Sequence, residues 1–544
     1  MLSFNQQKHM INHGDSLQKF YILFDTGEYQ KLSIKLRKAT KAFSDNYFFW
    51  YLYAQTEAKL GKHKSAESLY SKALKLDPKN LNLISDLSRF FREIGQLDKA
   101  LKCANKYKEL APNSPEGFRL AGQAFLSLNE NDRAEASFQV ALELNPDDQN
   151  VLKSFGKLYI ELGKFDAAIA FLEPLFAKSQ TDIELGNNLA LAYMKANKLE
   201  RASEVAKVTQ KNLDHDIGSA TWSQLNFNYS LMLLSSGECQ AGWPRYLDRF
   251  EAPGFTSDWR NYKIPRLQNV DQARDKSILI WPEQGIGDQL LFYSLIGHFS
   301  KVSKSKIFCL SDPRLISVLQ RSFSNIEFIE DTVALSKTLK ADFHLPLGDL
   351  GPLLEFNLTK SDLAAPYIRA NEEMESYWAR VLSRKKLKVG LGWQSEYRTN
   401  ERDLFYTNLN DWRSLISDED IQVVNLQHGL NTDKFSQNEL YLFDNMFDPN
   451  FDLKNDFENL SALLKNLDVV VAPASAILNF ADACNVPNIS YSPYVFWASL
   501  GNVFGNRYIR IPWLTNNKVY LFDELDKRQI LDEIISEVRA LVPV

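Results

Sequence analysis

Three short segments of this chain combine glycine or other small residues with charged or polar side chains in patterns suited to an anionic ligand. The first is Trp281-Pro282-Glu283-Gln284-Gly285-Ile286-Gly287-Asp288. An apolar run stops there at two glycines, just before an amphipathic stretch, so backbone around Gln284, Gly285 and Gly287 is free to come close to a ligand. Asp288 opens the following helix, where it either faces that ligand or acts as a plain helix cap, worth about 1 kcal/mol. The spacing is neither GxGxxG nor a P-loop, which argues against a dinucleotide oxidoreductase and against an NTPase. The second segment runs from Gly390 through Gly392, Trp393, Gln394 and Ser395 to Arg398 and Arg402. Guanidinium groups pair bidentately with phosphate or carboxylate. The other reading is a solvated loop in which Arg398, Glu401, Arg402 and Asp403 neutralise one another. The third is Pro473-Ala474-Ser475-Ala476, which follows three valines and opens a helix. Free N–H groups at a helix N-terminus favour phosphate, and a serine there is equally an ordinary cap.

All three segments belong to a half of the chain that alternates strand and helix. SILIW, KIFCL and IEFIE read as strands separated by the helices QLLFYSLIGHFSKV and PRLISVLQRSF. A second series follows with KVGLGW, QVVNLQ, LDVVVAP and NISYSP, the last ones separated by NLSALLKNL and SAILNFADACN. Such alternation predicts parallel sheets flanked by helices. Two consecutive blocks predict two Rossmann-like domains facing a cleft, with ligands outside the carboxyl ends of the strands.

The first half repeats every 34 residues. Gly27, Gly61, Gly95 and Gly163 share one register with Asn129 and Asn197, and these two residue types tolerate a left-handed turn between helices. Five residues on lie Leu32, Ala66, Ala100, Ala134, Ala168 and Ala202, where small side chains let paired helices pack closely. Pro78, Pro112 and Pro146 close successive units. The stretch from Trp50 to Pro78 resembles a tetratricopeptide repeat. About six units predict an all-α superhelix whose concave face recruits a protein partner. Tyr70, Phe118, Phe138 and Tyr159 are expected in its core. The boundaries read as a repeat solenoid over 1–214 and a last helix pair and connector over 215–270. A first Rossmann-like domain follows over 271–385, a second over 386–515 and a C-terminal helix over 516–544.

Composition narrows the class. The 544 residues include 63 Lys plus Arg against 68 Asp plus Glu, a formal charge of −5 that gives no global attraction to nucleic acid. Cys103, Cys239, Cys309 and Cys484 form no CxxC pair, which fits neither a disulfide framework nor a zinc site and agrees with a reducing cytoplasm. No apolar run approaches the roughly 20 residues of a membrane span, and the N-terminal stretch lacks the apolar core of a secretory signal. A cytoplasmic protein without a transmembrane segment is expected.

The joint pattern resembles bacterial tetratricopeptide-repeat proteins that carry a GT-B glycosyltransferase domain, distantly related to heptosyltransferases and O-linked N-acetylglucosamine transferases. The matching text is GECQAGWPRYLDRF, ILIWPEQGIGDQLLFYSL, APYI, KVGLGWQS, VVNLQHG and DFENLSALLKNLDVVVAPASAILNFADACNVP. That resemblance implies an inverting, metal-independent transfer from a nucleotide sugar, which acts as co-substrate, with no cofactor and no metal. It implies an acceptor site in the first Rossmann-like domain and a donor site in the second. Asp288 then stands where heptosyltransferases have their proposed general base. Arg398 or Arg402 would offset charge on the departing phosphate, Ala474 to Ala476 would cradle it, and Gln427 would contact the nucleotide. Relatives of this type commonly carry Asp-Thr in the late loop and a His in the helix behind it. This chain has Pro473-Ala474-Ser475 and, at the expected His, Asn479. The altered loop points to a single-phosphate donor, a CMP-nonulosonic acid, with Ser or Thr hydroxyls of a recruited protein such as flagellin as acceptor. A lipid-linked or polysaccharide acceptor is the nearer alternative, and a non-catalytic scaffold with a degenerate transferase domain the farther one. Tyr494, Phe496 and Trp497 would then line the base or sugar site, or else pack at a domain edge.

Overall fold

The structure is a computed structural model that describes residues 14–212, 218–332, 340–395, 400–429, 435–504, 507–522 and 526–543. Its chain divides into two compact units, residues 1–162 and 163–544. The division falls inside the repeat register, so the last repeat helices share a unit with the sheets.

The first unit is built of antiparallel helix pairs, among them Tyr47–Lys59 with His63–Leu76, Leu81–Glu93 with Leu97–Leu110, and Pro115–Ser127 with Asn131–Leu144. The turns inside these pairs are left-handed, with φ of 71° at Gly61, 74° at Gly95 and 60° at Asn129. Ala66, Ala100 and Ala134 are wholly buried. Tyr70 and Phe138 lie in the core as expected, whereas Phe118 and Tyr159 are half-buried at the surface. The Tyr159 hydroxyl donates to Glu135 over 3.0 Å. Asn80 and Asp148 cap the helices that follow the prolines, accepting backbone N–H groups at 3.0–3.1 Å.

The second unit begins with five more helices, Phe165–Lys178, Ile183–Lys195, Leu199–Lys211, Ala220–Ser235 and Cys239–Tyr246. The rungs Gly163, Asn197 and the late Gly237 are again left-handed, at 76°, 59° and 84°. Two sheets follow. In the first, β1 (Ser277–Trp281), β2 (Lys306–Ser311), β3 (Ile326–Glu330) and β4 (Phe343–Pro346) lie parallel in the order β3-β2-β1-β4. The second comprises β5 (Leu387–Leu391), β6 (Ile421–Asn425), β7 (Val469–Pro473), β8 (Asn488–Ser492), β9 (Val503–Phe504), β10 (Tyr508–Ile509) and β11 (Asn517–Leu521). Its order is β6-β5-β7-β8-β11-β10-β9, parallel as far as β11 and antiparallel at the β10-β9 edge.

The sequence reading missed β4 and β9 to β11. The stretch 516–544, read as one C-terminal helix, begins with the buried strand β11 and forms its helix only over Lys527–Arg539. In each sheet the chain starts in the middle, moves to one side, then returns to the other. The reversals fall between β1 and β4 and between β5 and β7. Loops leaving the carboxyl ends of strands at such a switch point splay apart and open a crevice.

Candidate functional site

The loops after β1, β5 and β7 meet in one cavity of about 760 Å³. Gly285, Gly287 and Asp288 line it from the first sheet's side, Ser395 and Arg402 from the loop after β5, and Ala474, Ser475, Ala476 and Asn479 from the loop and helix after β7. Eight of the fourteen site residues named from the sequence therefore border a single space.

Asp288 sits in the first turn of the helix Ile286–Ser303, whose N-cap is Gly285. The backbone N–H groups of Gly285 and of Asp288 itself approach its carboxylate. This is the return half of a capping box, in which the third helical residue reaches back to the N-cap. Both readings of Asp288 thus hold together: it caps its own helix and still faces the cavity. Burial pushes its carboxyl above the ordinary range, while those N–H groups and the nearby Arg402 charge pull it back.

A buried ion network holds this loop from behind. Arg249 and Glu283 are fully buried, and the guanidinium meets the carboxylate through bonds of 2.6–3.2 Å. Arg249 also donates to Asp349 at 2.9 Å, and Arg266 closes the group with bonds of 2.7 and 2.9 Å to Asp349. Gln284, next in the chain, adopts φ of 60° and donates its backbone N–H to Ser257 at 2.7 Å. A non-glycine residue pays conformational strain there; Glu283, anchored on one side, fixes the loop that presents Gly285. Composition and spacing gave no hint of this network, because Arg249 and Asp349 lie 100 residues apart.

On the second sheet's side, Ser475 is the N-cap of the helix Ala476–Ala483, yet its hydroxyl makes no capping bond. Among the described residues neither that hydroxyl nor the Ser395 hydroxyl has a protein partner, and both border the cavity. The first N–H groups of this helix and those of Ile286–Ser303 open toward the same space. Two positive helix ends and Arg402 converge opposite one carboxylate.

The remaining predicted residues are placed differently. Gln427 was expected on the nucleotide, but its side chain is buried and engaged with backbone. It accepts from the N–H groups of Trp393 and Gln394 at 3.1 and 2.9 Å and donates to the His428 carbonyl at 3.0 Å. It shapes the loop after β5 rather than bordering the cavity. Trp393 is a core residue packed with Leu391 and Trp412. Gln394 and Pro473 also lie off the cavity wall, Pro473 as the buried last residue of β7. Gln284 stands behind Gly285. Arg398 lies outside the described residues.

Aromatic side chains complete the wall. Phe405, Tyr406, Tyr494, Phe496 and Trp497 border the cavity, so the two expectations for the last three coexist: they line it and pack together. Trp497 stacks on Phe292, ring centroids 6.0 Å apart, and meets Trp243 and Trp513 edge-on. The last repeats brace the opposite wall. Phe165 meets the Tyr494 ring edge-on at 5.9 Å, and the Lys195 ammonium lies 5.1 Å from the centre of that ring. The Asn197 carboxamide oxygen accepts the Val495 N–H at 2.7 Å, and Gly163 abuts Leu404 beside Phe405. The sequence marked Asn197 only as a turn residue; nothing in the repeat pattern signals its second contact.

Among the described residues no helix is long and apolar enough to cross a membrane. The tetratricopeptide repeat family model matches residues 36–124 and 125–187. Protein FlbA of Caulobacter vibrioides is 23% identical over 524 residues, covering 92% of this chain and 85% of that protein. The anaphase-promoting complex subunit CDC16 of Saccharomyces cerevisiae is 25% identical over 198 residues, 35% of this chain, but these make up only 24% of its own length. Among solved structures, a tetratricopeptide repeat protein from Parabacteroides merdae aligns over 44% of this chain and 92% of its own, at 20% identity and a TM-score of 0.35. The chain therefore carries tetratricopeptide repeats, and its likeness to FlbA extends through both the repeats and the sheets.

Proposed function

We propose that this repeat protein is an inverting glycosyltransferase of GT-B type whose reaction centre is the cavity between the two sheets. The observation that carries the reading is the meeting, in one space at two switch points, of a raised carboxylate, an arginine and an uncapped helix N-terminus. A nucleotide sugar would place its phosphate at Ala474 to Ala476, against free N–H groups, with the Ser475 hydroxyl and Arg402 beside it. The acceptor hydroxyl oxygen attacks the anomeric carbon from the opposite face. The bond from that carbon to the phosphate oxygen breaks and the electron pair leaves with the nucleotide. The hydroxyl proton passes to Asp288. Burial that lifts the Asp288 carboxyl makes it a stronger base than an exposed aspartate. The helix ends and Arg402 are already oriented toward the charge that develops on the leaving phosphate.

The donor class follows from charge. Arg402 is the cation among the described residues on the cavity wall, and the loop after β7 is neutral. That favours a donor with one phosphate, a CMP-linked nonulosonic acid, over a nucleoside diphosphate sugar. The repeats recruit a protein acceptor such as flagellin in the cytoplasm and deliver its Ser or Thr hydroxyls. Screening nucleotides and nucleotide sugars for thermal stabilisation tests the donor, since a ligand bound to the folded state alone raises its melting temperature. CMP and CMP-nonulosonates should stabilise more than UDP-sugars, and product analysis should show an inverted linkage on protein. Stabilisation by none of them, with no transfer, would leave a scaffold with a degenerate domain as the reading. Transfer to a lipid-linked sugar alone would keep the chemistry and reject the acceptor.

A further inference from the structure

We infer that Asn479 is a clasp between the two cleft-forming layers, a positioning residue that sets the reach from Asp288 to the phosphate loop; this rests on the transferase reading above. Asn479 lies in the first turn of the helix Ala476–Ala483 and donates its carboxamide N–H to the Gly287 carbonyl at 2.8 Å. Gly287 immediately precedes Asp288 in the first turn of the other helix. The two first turns touch: a Cβ on Gly287 would stand 3.4–3.6 Å from the Cα, Cβ and N atoms of Ala476.

This contact is electrostatically awkward without help. Both helices bring their positive ends to it, and like ends repel. Two features oppose that repulsion, the Asp288 carboxylate and the Asn479 bond across the gap, and an anion in the cavity would be the third. The pair of helix ends therefore forms a trap that is most comfortable when it holds negative charge. The Asn479 carboxamide oxygen accepts no bond from the described residues and is not buried, while its residue borders the cavity. One end of the amide ties the layers together, and the other remains free to accept a hydroxyl or N–H of the donor. A histidine at this position has no second polar end of that kind in the same reach.

The test combines a distance measurement with kinetics on the full chain. Spin labels at Lys301→Cys and Tyr441→Cys, both exposed and one on each layer, report the separation in a background with the four native cysteines replaced by serine. The parent should give a narrow distribution, and Asn479→Ala a broader one that CMP narrows again. Asn479→Asp, of the same size but without the N–H donor, should behave as the alanine variant and serves if alanine proves unstable. In transfer assays kcat should fall about 10²-fold, the scale of a small misplacement of reacting groups, with KM for the donor changed far less. The acid limb of the pH profile should also move down as water reaches Asp288. Unchanged distance distributions, or equal kcat in both variants, would overturn the clasp. If the parent transfers nothing from any nucleotide sugar, the transferase reading fails, while the label distances still decide whether Asn479 holds the layers.

Discussion

Replacing Asp288 with asparagine separates its chemical duty from its structural one. The side chain keeps its size and an oxygen able to accept the Gly285 N–H, so the capping contact survives in neutral form. What disappears is the capacity to take a proton. General base catalysis contributes about 10²- to 10⁴-fold, or about 3–5 kcal/mol of barrier at 1.36 kcal/mol per decade. Transfer should fall by that factor at saturating donor. Stability should move the other way. Burial raises the Asp288 carboxyl in the folded protein, so its protonated form favours the fold and that contribution is lost as pH rises through the raised value. At neutral pH the charge is a burden that asparagine removes, less the loss of a favourable charge at a helix N-terminus, about 0.3–1 kcal/mol. Asp288→Asn should therefore melt at or above the parent temperature at pH 7 while nucleotide-induced stabilisation persists. In the parent, activity should decline with falling pH through a limb above the usual aspartate range. Turnover within tenfold of the parent, or collapse of the fold, would refute the assignment of Asp288 as the base.

Three further outcomes follow from the same geometry. Arg249→Met leaves buried Glu283 without its cation and should cost about 3–5 kcal/mol in urea unfolding, the usual price of breaking a buried pair. Asp482, buried and accepting the Thr515 and Asn516 N–H groups at 3.0 and 2.9 Å, has its carboxyl raised from 3.8 to about 6. Its stabilising contribution is present below about pH 4 and lost by about pH 6, about 3 kcal/mol at 1.36 kcal/mol per unit, so Asp482→Asn should flatten that part of the stability curve. Removing residues 1–162 should leave nucleotide-induced stabilisation intact, whereas removing 1–211 takes away Phe165, Lys195 and Asn197 and should abolish it in thermal scans.

Local rules were enough to read the repeats and most strands. Left-handed rungs and small buried residues each have one physical cause, and it is visible in single residue types such as Gly61 and Ala66. The seven strands read from the sequence are apolar runs of five or six residues, which is why they stood out. β4 reads Phe-His-Leu-Pro and β9 and β10 are two residues long, too short or too polar for any periodicity. The cavity segments were found because glycine and helix-start signals sit at strand ends. Side-chain direction was not legible: Gln427 and Trp393 have the right position in sequence but turn inward, and the aromatic wall at Phe405 and Tyr406 carries no motif. The ion network behind Glu283 depends on distant residues brought together only by folding.

The Asn197 turn has a consequence for how such arrays change length. Most rungs here are glycine, which reaches nothing; at 197 the turn residue also tethers Val495 beside the cavity. Inserting or deleting a 34-residue module after that tether would drag the catalytic wall out of register. Modules added or lost before residue 163 leave it untouched. Cargo choice can therefore diversify by swapping upstream modules while the chemistry stays constant, and chimaeras joined at 162/163 are the practical place to exploit it.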